Sequence, residues 1–386
     1  MNKTASAFSS HADSHAAASE LADQIAATIP APDALIVFCS SRHDYPTLLK
    51  TLTEKLHPKE LVGCSSAGEF SGTRQAEGAT SAIAFSSDEM AFASGLGLGL
   101  SQNPRPAAKE IVAGFQGTKS ERYRYKYALV LNDPLAGSAE DLIEAIFLES
   151  GGRHQLFGGG AGDDAAFRKT FVFRGTEAHT NAAVALEILS NKPLGIGVRH
   201  GWKPATPLMR VTEARGVSLY SLNATPVTDI YTEFATESHQ KLEMADPLPF
   251  LLHNIVGVKS DAGYKLRVPL GFSGDGGLTC CVEVPTGAAV SIMSADGKVA
   301  AEAAVEAAED ALAQLEGNKP GAALFFDCVA TRLRVGKGFG NELSAVADKL
   351  GQVPLVGCNT YGQVAQVEGQ FSGFHNCTAV VCVIPE

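Results

Sequence analysis

Leu61-Val-Gly-Cys-Ser-Ser-Ala-Gly-Glu-Phe70 and Leu355-Val-Gly-Cys-Asn-Thr-Tyr-Gly-Gln-Val364 write one pattern twice, near opposite ends of the chain. A chain so repeated is built from related units. The repeat extends upstream, where Ala34-Leu-Ile-Val-Phe-Cys39 precedes the first loop as Ala323-Leu-Phe-Phe-Asp-Cys328 precedes the second. An arginine, Arg42 or Arg332, follows each cysteine. A third, fainter copy runs from Tyr127-Ala-Leu-Val-Leu-Asn-Asp133 to Leu156-Phe-Gly-Gly-Gly-Ala-Gly-Asp163. Between each pair of apolar runs, leucines and isoleucines recur at helical spacing: Leu48, Leu49, Leu52 and Leu56; Leu142, Ile143 and Ile146; Leu343, Val346 and Leu350. Each copy therefore reads as strand, helix, strand, a right-handed crossover between parallel strands. The glycine loops fall at the carboxyl ends of those strands, where such sheets bind ligands.

The expected fold class is α/β: two related parts with strand-helix-strand units and additional antiparallel strands. Residues 1–18 are small and polar and are expected to be a disordered start; Leu21, Ile25 and Ile29 mark a short helix stopped by Pro30. Ser94-Gly-Leu-Gly-Leu-Gly-Leu100 alternates as a strand does, leaving one face bare for a ligand or for a closely packed helix. Strand-like and turn-like pieces over 165–235 suggest an antiparallel meander. A helix begins near Thr225 to Tyr231, the domain boundary is placed at 225–245, and an alanine-rich helix is expected from about Lys298 to Leu315.

Composition excludes several classes. A formal charge of −11 argues against a nucleic-acid partner, whose phosphates need clustered lysine and arginine. Eight cysteines without a CxxC pair describe neither a disulfide scaffold nor a zinc site, and point to reduced thiols in a cytoplasm. With no signal-peptide pattern and no apolar run of about 18 residues, the sequence is expected to be cytoplasmic and not inserted in a membrane.

Taken together, Gly63-Cys-Ser-Ser-Ala-Gly-Glu69, Phe157-Gly-Gly-Gly-Ala-Gly-Asp163, His200-Gly-Trp202, Val211-Thr-Glu-Ala-Arg-Gly216, Cys328 with Arg332, Gly357-Cys-Asn-Thr-Tyr-Gly362 and Asn376-Cys-Thr378 resemble the FIST sensory module. The resemblance implies an N-terminal domain over 30–228 and a C-terminal domain over 229–384. It also implies an intracellular sensor of small molecules such as amino acids. With no output domain in the sequence, the chain resembles the stand-alone, nitric-oxide-sensing branch, in which the protein binds haem b and controls a separate histidine kinase or a diguanylate cyclase or phosphodiesterase. One departure is Gln363, where the family pattern usually carries glutamate.

The residues themselves suggest how a ligand would be held. Glycine at 63, 68, 357 and 362 lets backbone N–H groups approach an anion, and Gly159 and Gly160 of the third copy join the candidate ligand-binding set. Ser65, Ser66, Asn359, Thr360 and Tyr361 supply neutral hydrogen bonds, Glu69 and Gln363 occupy matching places, and Arg42 and Arg332 are the candidate carboxylate clamps. Cys64 and Cys358 sit in the repeated loops. Without a nearby histidine base they read as small buried residues more readily than as nucleophiles, so an enzyme is the competing class. His154, His200, His239, His253 and His375 are the haem-ligand candidates. His200 stands first because Gly201 and Trp202 beside it offer close approach and an apolar wall. Whether the ligand is haem-bound nitric oxide or an organic metabolite is left open by the sequence.

Overall fold

The computed structural model describes residues 2–261, 263–295, 299–366 and 373–386. The chain has the expected mixed α/β class, and within its two parts the repeated unit occurs three times, each time as strand, helix, strand, helix, strand, hairpin, strand. The first unit runs from strand Lys3–Ser9 through strands Ala34–Ser40 and Glu60–Ser66 to strand Thr80–Ser86. The second runs from Met90–Leu98 through Tyr125–Asn132 and Gln155–Gly160 to Ala182–Ser190. The third opens with Gly195–Arg199, is interrupted by a long insertion, and resumes at helix Val299–Ala313; its strands Pro320–Cys328 and Leu355–Thr360 then lead to Ala379–Pro385.

Three six-stranded sheets result, each with the parallel pair at its centre. The two end strands of a unit complete its own sheet on one side. On the other side, each sheet is closed by the hairpin of a different unit. Hairpin Glu69–Ser71 and Arg74–Ala76 pairs with strand Leu355–Thr360; Val172–Arg174 and Glu177–His179 pair with Glu60–Ser66; Gln363–Gln366 and Gly373–His375 pair with Gln155–Gly160. The exchange is cyclic, so no unit is whole without the next.

The inner faces of all three sheets meet in one core, where Phe38 and Phe157 each pack against Phe326, with ring centroids 5.7 and 6.4 Å apart. Helices cover the outer faces, so the central strands are buried on both sides and read as continuous apolar runs. The bare glycine face of the strand Met90–Leu98 receives a helix. A Cβ on Gly95 or Gly97 would lie 2.0 or 2.3 Å from the carbonyl oxygens of Ile111 and Ala107 in helix Pro104–Ala113. Gly195 and Gly197 do the same against Ala311 and Ala307 at 1.7 and 1.8 Å.

Two expectations need correction. The first residues are ordered: Lys3–Ser9 pairs antiparallel with Thr80–Ser86, and its small Ala5 and Ala7 let helix Ser14–Ala26, capped by Asp13, pack closely. The pieces at Val172–Arg174 and Gly195–Arg199 belong to the repeat sheets; the antiparallel sheet is made instead by the insertion, residues 203–294, and includes Met209–Arg215, Ser218–Leu222 and Asn254–Ser260. The alanine-rich helix is found where it was expected, over Val299–Ala313, and Lys298 lies outside the described residues.

Register supplies a further correction. Cys64 and Cys358 are opposite Phe38 and Phe326, but Cys39 is opposite Ser65 whereas Cys328 is opposite Thr360. The register mate of Cys328 is Ser40, and that of Cys39 is Asp327. Successive strand residues point to opposite faces, so the two cysteines and the arginines that follow them are not equivalent.

Candidate ligand site

The three glycine loops meet, but they close on one another. Ala67 N–H donates to Asn359 O at 2.9 Å, Asn359 N–H to Gly68 O at 2.7 Å, Gly162 N–H to Ser65 O at 2.8 Å and Gly160 N–H to Gly362 O at 2.8 Å. The N–H groups that the sequence offers to an anion are thus spent between loops. Glycine is needed because backbones touch: a Cβ on Gly162 would meet Ala67 N at 2.7 Å, and one on Gly159 would meet Gly362 O at 3.0 Å. Gly63 and Gly357 pass the neighbouring strand, with a Cβ only 2.0 and 1.9 Å from Val37 O and Phe325 O.

Most of the predicted polar set is drawn into this closure. Ser65 Oγ accepts from Phe171 N–H at 2.9 Å, and Ser66 Oγ donates to Glu69 Oε1 at 2.5 Å. Burial pushes the Glu69 carboxyl up to about 8, against the Ser66 hydrogen bond and the Arg332 charge. Arg332 Nη1 donates to Ala67 O at 3.1 Å and to Asn359 Oδ1 at 3.3 Å, stitching the first loop to the third. Arg42 does not join it. Its side chain is 62% exposed, near Glu77 at 3.6 Å, because the register sets it on a different part of the loop from Arg332. Cys64 and Cys358 are buried side by side, and burial together with the Cys64 neighbour holds the Cys358 thiol well above its usual range. Cys358 therefore lacks the depressed pKa of a nucleophile.

Open space lies to one side of the closure. A cavity of about 670 Å³ separates the repeat core from the insertion, and its walls include the exposed apolar side chains Leu135, Phe167, Val217, Leu270 and Leu333 together with Leu248, Leu252 and Val268. This volume is within the range of small-molecule sites. Of the residues singled out in the sequence, Tyr361 forms part of its wall, beside Gly362, with its N–H donating to Gly160 O behind it at 3.0 Å. Phe167 stacks on Tyr361 with centroids 4.3 Å apart and planes 13° from parallel. Tyr361 donates its hydroxyl to Asp163, whose carboxylate also accepts the backbone N–H groups of Phe167, Arg168 and Lys169 at 2.7, 2.7 and 2.8 Å. These bonds hold a turn in which Asp164, Ala165 and Phe167 all have left-handed φ of 54, 63 and 52°, a conformation that costs non-glycine residues energy.

The polar edge of the cavity is Glu140, bound by Lys265 and by Arg267 Nη2 at 3.1 Å. Burial acts to raise the Glu140 carboxyl, but Lys265 and Arg267 outweigh it and hold it below the usual range. Cys281, Cys328 and Asn376 complete that side. Gln363 stands just behind, its Nε2 donating to Thr360 Oγ1 at 2.8 Å and its Oε1 accepting from Thr378 N–H at 3.2 Å.

The surroundings of His200 do not fit a haem. Its Nε2 lies 3.0 Å from Tyr264 O, the void beside it measures about 10 Å³, and a Cβ on Gly201 would overlap Val299 Cγ1 at 1.7 Å. Gly201 therefore admits a helix rather than a macrocycle. His154 is buried against Glu187 at 2.7 Å, and among the described residues the wall of the large cavity contains no histidine. No group of histidine, cysteine and carboxylate side chains among the described residues is arranged to hold a metal ion.

The FIST N domain matches residues 33–225 and the FIST C domain residues 228–366. The chain belongs to the FIST family. FIST domains are sensory domains of signal transduction. An uncharacterized protein of Mycobacterium tuberculosis, found in two strains, is 24% identical over 376 residues, covering 94% of this chain and 93% of its own. Among solved structures, a cyanuric acid hydrolase from A. caulinodans aligns over 100% of both chains at 10% identity and a TM-score of 0.35, a likeness too weak to carry an argument. No helix among the described residues of this FIST protein is long and apolar enough to cross a membrane.

Proposed function

We propose that this FIST protein senses a largely apolar organic molecule with one hydrogen-bonding end, and that it acts as a binder rather than an enzyme. The carrying observation is the 670 Å³ cavity, in which large apolar side chains stand exposed around a small polar edge at Arg267, Glu140 and Asn376. Exposed apolar side chains gathered in one concave wall gain free energy only when something covers them. The ligand class replaces the carboxylate bound by Arg42 and Arg332, since Arg42 points elsewhere and Arg332 is committed to the loops.

Occupancy has a route to the rest of the fold. A guest resting on Tyr361 bears on the Phe167 stack and on the Asp163 turn, and through them on the loops that join all three units. The receiver would be a separate signalling enzyme, a histidine kinase or a diguanylate cyclase or phosphodiesterase. The test is titration of the full chain with the apolar fluorophore 1-anilinonaphthalene-8-sulfonate, with and without Leu333→Trp, which fills the cavity from an exposed wall position. Saturable binding weakened about tenfold or more by the substitution supports the reading. Binding unaffected by Leu333→Trp rejects it. Added haem gives a second readout, because a shifted Soret band that survives His200→Ala but is lost in Leu333→Trp would put haem in the same cavity.

A further inference from the structure

The polar edge of the cavity holds more hydrogen-bond donors than acceptors. Arg267, 4% exposed, lies in the wall; its Nε donates to Glu283 O, its Nη1 to Leu266 O and its Nη2 to Glu140 Oε2, each at 3.1 Å. Each terminal nitrogen of a guanidinium carries two hydrogens, so both keep one without an acceptor among the described residues. Asn376, also 4% exposed, lies in the same wall. Its Oδ1 accepts the Cys281 thiol at 3.2 Å, whereas its Nδ2 has no acceptor among the described residues. The third set of donors is the start of helix Ala139–Glu149, which borders the cavity from Ser138 to Asp141. Ser138 has a left-handed φ of 55° and makes no side-chain cap. Leu142 N–H bonds back to Ser138 O at 2.9 Å, and the N–H groups before it have no acceptor within the helix.

The acceptors at this edge are already in use, and its charges do not balance. Glu140 Oε1 accepts from Lys265 and Oε2 from Arg267, so two cations share one carboxylate. Asp141 and Glu283 also border the cavity, but both are exposed to water, which screens them. The positive surplus is felt at His375, where burial and the charges of Lys265 and Arg267 outweigh Glu140 and hold the ring down to about 4, so that it stays neutral.

We propose that the cavity takes an apolar monocarboxylate, whose head accepts from Asn376 Nδ2, from the unused Arg267 hydrogens and from the first turn of helix Ala139–Glu149. This rests on the cavity being the ligand site and names the chemistry of its hydrogen-bonding end. A carboxylate supplies the acceptors that these buried donors lack and balances the charge that Glu140 alone leaves over. Its apolar body covers Leu135, Leu270 and Leu333. A neutral amide of the same shape leaves the charge in place, and an ammonium would meet like charge.

The experiment titrates the full chain by calorimetry at neutral pH with 4-phenylbutanoate and with 4-phenylbutanamide, which keeps the shape without the charge. The acid is expected to bind about tenfold or more tightly than the amide. Asn376→Asp removes the donor and sets a like charge beside the head, and should weaken the acid about tenfold or more while moving the amide less than about threefold. Glu140→Gln should do the opposite, tightening the acid about threefold or more, because Lys265 and Arg267 then lack their carboxylate. Absence of acid binding, equal affinities for acid and amide, or equal responses of both to the substitutions overturns the proposal. Leu333→Trp separates this outcome from the fate of the cavity. If acid and amide bind equally and both weaken in Leu333→Trp, or if only 1-anilinonaphthalene-8-sulfonate binds and is weakened, the cavity stands as a ligand site and the anion edge falls. Binding that Leu333→Trp leaves unchanged for every probe removes both readings. Should Asn376→Asp fail to fold by circular dichroism, the acid-to-amide ratio of the unsubstituted chain and the response of Glu140→Gln decide.

Discussion

Glu69→Gln isolates the energetics of the loop closure. Glu69 is 1% exposed, its Oε1 accepts from Ser66, and its Oε2 has no partner among the described residues, so ionising it leaves a charge largely unsolvated. The carboxyl titrates near 4.5 in an unfolded chain and at about 8 in the folded one. The folded state therefore binds a proton that the unfolded state has lost throughout that interval. Stability is fully present below pH 4.5, falls as pH rises, and levels off above 8, at about 1.4 kcal/mol per pH unit and roughly 4 to 5 kcal/mol in all. A glutamine keeps the shape and cannot ionise. The assay is urea unfolding of both proteins from pH 4.5 to 9, read as the difference in midpoint, so that other groups titrating in both chains cancel. The two should nearly coincide at pH 4.5 and diverge in favour of Glu69→Gln up to pH 8. Parallel curves would mean that Glu69 titrates as an ordinary carboxylate, and the dry closure deduced from the loop hydrogen bonds would then be wrong.

Arg332→Ala should lower the unfolding midpoint by the equivalent of about 2 to 3 kcal/mol, because it leaves Ala67 O and Asn359 Oδ1 without their donor, while fluorophore affinity in the cavity stays within twofold. Weakened binding with an unchanged midpoint would restore Arg332 as a ligand clamp. Gly197→Val should destabilise by about 3 kcal/mol or more, since its Cβ meets Ala307 O at 1.8 Å, whereas Gly271→Val, with nothing within 4 Å of its Cβ, should be nearly silent; equal effects in thermal melts would refute the close strand-helix packing. Residues 1–228 expressed alone should be poorly soluble or fail to bind the fluorophore, and a cooperatively folding monomer of that fragment with full affinity would refute the interlocking of the units.

The helices and strands of the repeat were legible because each carries its own period: Tyr45–Leu56, Ala139–Glu149 and Phe339–Lys349 cover the three helical patterns. Register was not legible. Cys39 and Cys328 look like counterparts by composition, but the two ladders match Cys39 to Asp327 and Ser40 to Cys328, and with the extra residue before Arg332 this sets the two arginines two positions apart. Lys3–Ser9 looked structureless for a related reason, as alanines that let a helix approach a strand resemble low-complexity sequence. The cavity was beyond reach. Leu135, Val217, Leu270 and Leu333 come from four separate segments, and in sequence each is an ordinary apolar residue. Tyr361 was found through its place in the repeated loop.

The boundary between the FIST N and C domains, between 225 and 228, falls inside the insertion of the third unit rather than between units. Strand Gly195–Arg199, which lies before that boundary, pairs with Ala379–Pro385 beyond it, and hairpin Glu69–Ala76 adds to Leu355–Thr360. The N domain therefore lends strands to a sheet whose parallel pair belongs to the C domain, and the C domain returns Gln363–Gln366, the first strand of the third unit's hairpin, to the second unit. That returned hairpin begins at Gln363, two residues after Tyr361 and within reach of Cys328, so the element that crosses between domains is also the one that meets the cavity. A ligand that shifts Tyr361 or Cys328 must act on strand pairs that join both domains. The cyclic exchange of hairpins thus gives a small binding event a mechanical path to the whole chain, which two independently folded halves joined by a linker would lack.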